Sequence, residues 1–428
     1  MLCSNIEQKY MLSLVKKLWP INRSLTGVGN RKTLKILKNE CNLLKIKEIK
    51  SGKKVFDWKI PLEWNIKEAW IKDLNDKTVI DFKKNNLHLV GYSTSIKKKI
   101  KLDKLKKKIF TLKKQPNAIP YVTSYYKKDW GFCMSHNLLK KLKKNYYKVL
   151  IDANFKKSAL NYGEIYIKGK SKKEVFFSTY FCHPSMANNE LSGPCIAIHL
   201  AKWLSSQKNL KYSYRIVFVP ETIGSIAYIH KNLKKLKKNI FVGFNLTCLG
   251  DERCYSYLPS RNGNTLSDHI AKHVLYYTDR KYKKYSWLSR GSDERQYCAP
   301  GIDLPIATIM RSKYGTYPEY HTSLDKIGTV VTQKGLKQSF DLFKKVIFII
   351  ENNKKPITNI FCEPMLSKRN LYPTFSTKKR NKDSPNILNL LSFCDGNHSL
   401  LDISEKILLS FKKTHDYYLL LKSHKLLK

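Results

Sequence analysis

The chain reads as an α/β protein, a mainly parallel sheet flanked by helices, with a β-rich insert and a small helical domain at its C-terminus. Three observations carry this. From about residue 147, short apolar strands alternate with helical patterns, as a parallel sheet covered on both faces requires. From about 54 to 130, aromatic and β-branched residues come in short runs broken by Pro, Asn and Gly. Near the C-terminus a polar Lys-Asn-Pro stretch is followed by helical texture around a "DGNHS" turn.

In chain order, residues 1 to about 50 predict helix, turn, helix. Leu12, Leu14, Val15 and Leu18 form a helical stripe, and "RSLTGVGNR" is a turn before "KTLKILKNE". "VFDWKIPLEWNIKEAWIKD" and "HLVGYSTSI" predict strands of the insert. Next come the strands "YYKVLIDANF", "GEIYIKG" and "EVFFSTYF", the helix "CIAIHLAKWLSSQ", the strand "YRIVFVP" and the helix "SIAYIHKNLKKL". "NIFVGFNLTCL" and "LPIATIM" are further strands, and a long helix covers "QKGLKQSFDLFKKVIFIIENN". The domains expected are an α/β body from 1–53 and 131–365, an insert at 54–130, a linker at 366–385 and a winged-helix-like domain at 386–428. The last has the size and texture of a helix-turn-helix module.

Composition is that of a globular chain, 42% hydrophobic and 12% aromatic over 428 residues. The formal charge of +48 invites a nucleic-acid reading, but of 81 basic residues only eleven are Arg. Lysine is a solvated point charge that neither reads bases nor grips phosphate bidentately, and here it is spread along the chain. Weak, salt-sensitive adhesion to polyanions is the expectation. Ten scattered Cys with no C-x-x-C pair suit a reduced, cytoplasmic protein. No apolar run approaches the length of a membrane span, and the N-terminal segment reads as a helix, not a signal peptide.

Ligands in open parallel sheets sit beyond the C-terminal strand ends. There the sequence places Cys182 and His183, then Glu221, then Asp251 and Glu252, then His321 and Asp325. Imidazoles and carboxylates converging on one rim is the pattern of a zinc site, with a further carboxylate activating water. Beside these lie Arg290 and Asp293 in "SRGSDERQYC", and Tyr125, Tyr126, Trp130 and Phe132 in "SYYKKDWGF". The first group is a substrate-binding candidate or a surface ion-pair cluster; the second, a stacking platform or packing between insert and body. Arg23 and Thr26 are within reach of the same cleft.

"CHPSMANNELSGP", "PETIGSI", "NLTCLGD" and "YPEYHTSLDK" together resemble the co-catalytic zinc aminopeptidases, more closely a bacterial aminopeptidase-like branch with an inserted β-rich domain and a C-terminal winged helix. "WPINRSLTGVGNRKTL" and "SRGSDERQYCAPGIDLP" extend the resemblance over most of the chain. It implies that His183 and His321 are metal ligands and that Glu221 is the general base. It places Arg290, Asp293 and Tyr320 toward the substrate, and Gly193 where backbone approach is close. The departures are specific. Asn189 stands where the resemblance implies a bridging aspartate, Thr222 where it implies a glutamate, and Thr247 where it implies an aspartate. Two zinc ions need those carboxylates, so the expectation is one zinc on His183, His321 and an oxygen from Asn189, Glu190 or Asp251, or no metal. The activity implied is hydrolysis of an amide at an amino-terminal or N-acylated substrate, with surface-polysaccharide metabolism as context. A non-catalytic binding or scaffold protein on the same fold with a degraded metal site, and a nucleic-acid-binding regulator acting through the C-terminal domain, are the alternatives; a homo-oligomer is compatible with each.

Overall fold

In the computed structural model, residues 2–125, 127–371 and 383–428 are described; Tyr126 and most of the expected linker lie outside them. The chain forms two compact units, one of residues 1–268 and 281–341, the other of residues 269–280 and 342–428.

The first unit is built on an eight-stranded sheet. Its order is Lys45–Lys50, Ala159–Ile167, Ser213–Val219, Glu174–Tyr180, Ile240–Asn245, Ile306–Met310, Ser256–Leu258 and Lys283–Lys284. The centre is parallel: Glu174–Tyr180 pairs in parallel with Ser213–Val219 and Ile240–Asn245, and the latter with Ile306–Met310. On either side of the centre the pairing turns antiparallel, and the last pair at one edge, Ser256–Leu258 with Lys283–Lys284, is parallel again, so the sheet is mixed. The central strands are buried along their whole length. Alternation decides what each face meets. Phe176 stacks on Tyr228 of the helix Ile223–Asn239, whereas Phe177 stacks on Phe244. Thr179, on the Phe177 side, meets the helix Ser192–Ser205, and a Cβ on Gly193 would come within 2.4 Å of its Oγ1. Glycine at 193 is therefore demanded by close approach.

Two strands depart from the sequence reading. Lys45–Lys50, "KIKEIK", falls where a helix was expected to end; its alternating charges suit an edge strand with one wet face. Tyr146–Lys156 was expected to enter the large sheet. It pairs instead with Glu63–Lys72 and Ile96–Lys101 in a separate four-stranded sheet, where Val149 and Ile151 are buried. An apolar run does not reveal which of two sheets will bury it.

One charged cluster ties three neighbouring strands together. Arg215, 3% exposed, donates from Nε and Nη2 to the two oxygens of Glu174, at 2.5 and 2.9 Å, and from Nη1 to Glu164. Lys47 and the Tyr228 hydroxyl also engage Glu164.

In the second unit, the helices Asp383–Ser392, Leu400–Lys406 and Phe411–Ser423 pack together, and bridges join Ile357 to Asp395 and Thr358 to Leu427. Ser399 and Asp402 form a reciprocal capping box, which starts the middle helix at a defined residue. Phe411–Ser423 shows Lys412, Lys413 and Asp416 to solvent and carries no Arg. Among the described residues no helix is long and apolar enough to cross a membrane.

Replacing Arg215 with Ala leaves the buried Glu174 carboxylate without its cation and takes one of two cations from Glu164, and is expected to cost about 3–5 kcal/mol. Denaturant unfolding of the two proteins measures this; a loss below about 1 kcal/mol would contradict the role given to the cluster.

Candidate active site

Four turns at the C-terminal ends of the central strands meet, and each holds a non-glycine residue in the left-handed region: Ser185 at φ 50°, Thr222 at 65°, Cys248 at 51° and His321 at 54°. Such residues cost free energy and cluster at functional sites. Thr222 is the extreme case. With ψ −79° and a 2.8 Å bond from Ile223 N–H to the Glu221 carbonyl, it is the centre of a γ-turn of the rare, strained hand. Asp293 holds the strained turn. Its Oδ1 accepts from Thr222 N–H at 2.7 Å and from the Ser225 hydroxyl at 2.8 Å.

His183 is fixed from several sides. Glu190 accepts from its backbone N–H at 2.7 Å and contacts its Nδ1 at 2.5 Å. Arg23, fully buried, donates to the His183 carbonyl at 3.0 Å and to the Leu18 carbonyl at 2.6 Å. With Nδ1 engaged, Nε2 is the nitrogen left facing the cleft, 3.7 Å from Glu221 Oε2. Burial works most strongly against the charged His183 ring, but the Glu190 carboxylate and the Cys182 sulfur together outweigh it and raise the ring's pKa well above the usual histidine range. Burial raises the Glu221 carboxyl as well, toward the range a general base needs.

The His321 ring centroid lies 5.1 Å from that of His183. Tyr320 stacks on His321 at 3.8 Å, and Tyr121 stands edge-on to both imidazoles at 4.9 and 5.3 Å. Burial, then the neighbouring His183, push the His321 pKa down to about 2, so it is neutral at any ordinary pH. Asn189 reaches His321 Nε2 through its amide nitrogen at 3.4 Å, and its Oδ1 accepts from the Tyr180 hydroxyl at 3.0 Å. Tyr180 also lies 2.7 Å from Thr247 Oγ1, which donates to the Asn189 carbonyl at 3.2 Å. Asp325 holds the whole Ala187–Leu191 turn, accepting from Asn188 N–H at 2.7 Å and Asn189 N–H at 3.0 Å.

The structure thus brings His183, Glu221, Asn189, His321 and Tyr320 together. Asp251, weighed as an oxygen ligand, is spent elsewhere: it accepts from Ser312 N–H and hydroxyl, Arg253 N–H and the Asn188 amide. Among the described residues, the group of His, Cys, Asp and Glu with ligand atoms within 4.8 Å of one another is Cys182, His183 and Glu190. Asp293 is buried under the Glu221 turn, not displayed to a substrate. Arg290 is exposed, its guanidinium 5.1 Å from the Trp287 ring centroid. Sequence reading overlooked Tyr121 and Tyr180. Both are tyrosines in ordinary-looking strand and loop contexts, and only their contacts with the imidazoles single them out. The Asn188 and Asn189 amides had a signal in the sequence; their partners did not.

Comparison with solved structures defines the class first: this is the fold of the zinc aminopeptidases. A zinc aminopeptidase from Bacillus subtilis superposes with a TM-score of 0.58 at 14% identity, covering 80% of this chain and 95% of its own. A peptidase M28 precursor from Shewanella amazonensis gives 0.53 at 11%, covering 84% and 99%. The chain belongs to the family described as "Domain of unknown function (DUF4910)", whose model matches residues 12–353, followed by a winged helix-turn-helix matching 355–428. A Clostridium acetobutylicum protein provisionally named for polysaccharide biosynthesis with an aminopeptidase-like domain is 42% identical over 403 residues, 94% of this chain and 92% of the relative. A crystal structure of a candidate peptidase from the same organism superposes with a TM-score of 0.93 at 40% identity, covering 99% and 97%.

The residues do not fit two zinc ions. Asn189, Thr222 and Thr247 bring no charge, and the latter two are engaged by Arg295 at 2.8 Å and by Tyr180. For one ion the donors on hand are the imidazole nitrogens of His183 and His321; Asn189 turns its amide nitrogen to His321 and gives its oxygen to the Tyr180 hydroxyl, so it would join them only with the amide turned over.

Asp293 supplies a pH test. Burial and the adjacent Glu221 push its carboxyl up to about 8, and its Oδ2 has no hydrogen-bond partner. The folded state therefore keeps a proton that the unfolded chain releases near pH 4, so stability falls as pH rises from about 4 to about 8. Asp293→Asn is expected to flatten that slope in denaturation midpoints between pH 5 and 8; equal slopes would exclude Asp293 as its source.

Proposed function

We propose that the chain is a hydrolase of amide bonds, acting at an amino-terminal or N-acylated substrate and using a single zinc ion. The observation that carries this is the Glu221 carboxylate 3.7 Å from the free Nε2 of His183, with the His321 ring alongside. His183 Nε2, His321 Nε2 and, with its amide turned over so that the oxygen leaves Tyr180 and faces His321, the Asn189 side-chain oxygen would hold the ion. Bound there, zinc supplies Lewis acidity that polarises an amide carbonyl and acidifies water.

The chain's own residues do the rest. Glu221 accepts the proton of the attacking water at Oε2 and delivers it to the departing nitrogen. Glu190 holds the His183 ring in one orientation and strengthens Nε2 as a donor, the part a carboxylate plays behind a ligating histidine. Arg23 and Asp325 lock the loops carrying His183 and Asn189, and the rings of Tyr121 and Tyr320 keep water from the imidazoles. The naming of the Clostridium relative supports a substrate from polysaccharide metabolism, an amide-bearing sugar.

One observation favours a second reading. The Tyr180–Thr247–Asn189 hydrogen bonds close on themselves and occupy the positions of missing acids without any charge. A metal-free binding protein would look the same there.

Metal content of the purified protein by mass spectrometry, with calorimetric zinc titration, separates the two. Wild type is expected to bind one zinc, His183→Ala none, and Asn189→Asp to bind at least tenfold more tightly, since a carboxylate replaces an amide. Glu221→Gln is expected to keep the metal and lower amide hydrolysis by 10²-fold or more. A wild type that takes up no zinc at neutral pH ends the hydrolase reading.

A further inference from the structure

Of the chain's seventy lysines, the fold buries one among the described residues, Lys313, at 8% exposure. Every other described lysine keeps its ammonium in reach of water, as its hydration demands. Lys313 lies three residues beyond the strand Ile306–Met310, on the loop that leads to His321. Its Nζ donates to the Tyr314 carbonyl at 3.1 Å and lies 4.3 Å from the Tyr314 ring centroid and 5.4 Å from that of Tyr285. No carboxylate forms an ion pair with it within 4.0 Å among the described residues. The acid on the neighbouring turn, Glu294, is already engaged by Gly291 N–H, Ser292 N–H, the Tyr314 hydroxyl and the Asn245 amide. The ring faces, one carbonyl and the Glu294 charge, which attracts the ammonium from beyond ion-pair distance, compensate it only in part. An anion brought beside Nζ would complete that compensation.

The surroundings place that anion. Tyr285, Trp287 and Tyr320 are half-buried and pack on the same small cluster around Met310 and Tyr314. Tyr320 in turn stacks on His321. Arg290 covers Trp287 from the solvent side. An aromatic wall with a cation beneath it and a cation at its rim thus runs directly from the imidazole pair.

We infer that this wall is an acid-recognising subsite, in which Lys313 pairs with a carboxylate of the substrate while Tyr320 and Trp287 cover the substrate's apolar face. It rests on the reading of the cleft as an amide-binding site, and it narrows the substrate to an acidic amide, such as an N-acylated amino acid or amino sugar acid.

Equilibrium binding of N-acetylglycine and of its neutral amide, N-acetylglycinamide, tests this by calorimetry at pH 7 and low salt, on the full chain. Wild type is expected to prefer the carboxylate at least tenfold. Lys313→Met abolishes the preference, and Lys313→Gln does the same should the first variant fail to fold. Lys413→Gln, an exposed lysine of the C-terminal unit, leaves it intact, which separates the subsite from the chain's general positive charge. Equal binding of the two probes by wild type, absence of binding to both, or a preference that survives at position 313 overturns the inference. Binding is read without turnover. A chain that prefers the acid but hydrolyses no amide therefore sinks the hydrolase reading alone, and a chain that hydrolyses amides with no preference sinks this one alone.

Discussion

The site depends on the double hold of Glu190 on His183. One carboxylate accepts from the backbone N–H of the histidine and engages its Nδ1, seven residues apart in sequence. That settles three things at once: where the loop after Glu174–Tyr180 goes, which way the ring points, and which nitrogen remains for chemistry. A buried imidazole whose Nδ1 lacked a partner would be costly and free to turn. Glu190 thus serves the histidine and is not free to serve a metal directly.

The remaining buried polar groups are arranged around that pair in the same manner, each spent on holding a turn. Arg23 ties the histidine carbonyl to the N-terminal helix, Asp325 ties down Asn188 and Asn189, Asp293 holds the strained γ-turn after Glu221, and Asp251 clamps the turn after Met310. The strain at Ser185, Thr222, Cys248 and His321 is carried by these contacts. Such a network pre-organises a site, since the groups need not move to act. It also accommodates the neutral Asn189, Thr222 and Thr247, each of which has a neutral or cationic partner in Tyr180 or Arg295.

The great excess of lysine belongs to a different level of the molecule. It decorates solvated surface, where some of it pairs with carboxylates or lies over aromatic rings. Lys313 stands apart because burial, not sequence, distinguishes it from the other lysines. The same holds for the tyrosines: Tyr121, Tyr180 and Tyr320 matter because they surround two imidazoles, while the exposed Tyr146 and Tyr276 do not.

The sequence by itself determined the alternation of apolar strands and helices, hence an α/β body, and the strand-end positions of His183, Glu221 and His321. These follow from local periodicity and from motif spacing, which are properties of the chain read in one dimension. It also shows the neutral Asn189, Thr222 and Thr247 at places where the resemblance to the zinc aminopeptidases implies acids. Only the tertiary structure decided that the sheet turns antiparallel at its edges, and that Tyr146–Lys156 pairs outside it, because strand pairing is a contest between apolar surfaces far apart in sequence. Only the tertiary structure removed Asp251 and Asp293 from the cleft wall and assigned Glu190 to His183. A carboxylate's role is set by which donors converge on it, and for Asp251 and Asp293 most of those donors come from turns more than sixty residues away.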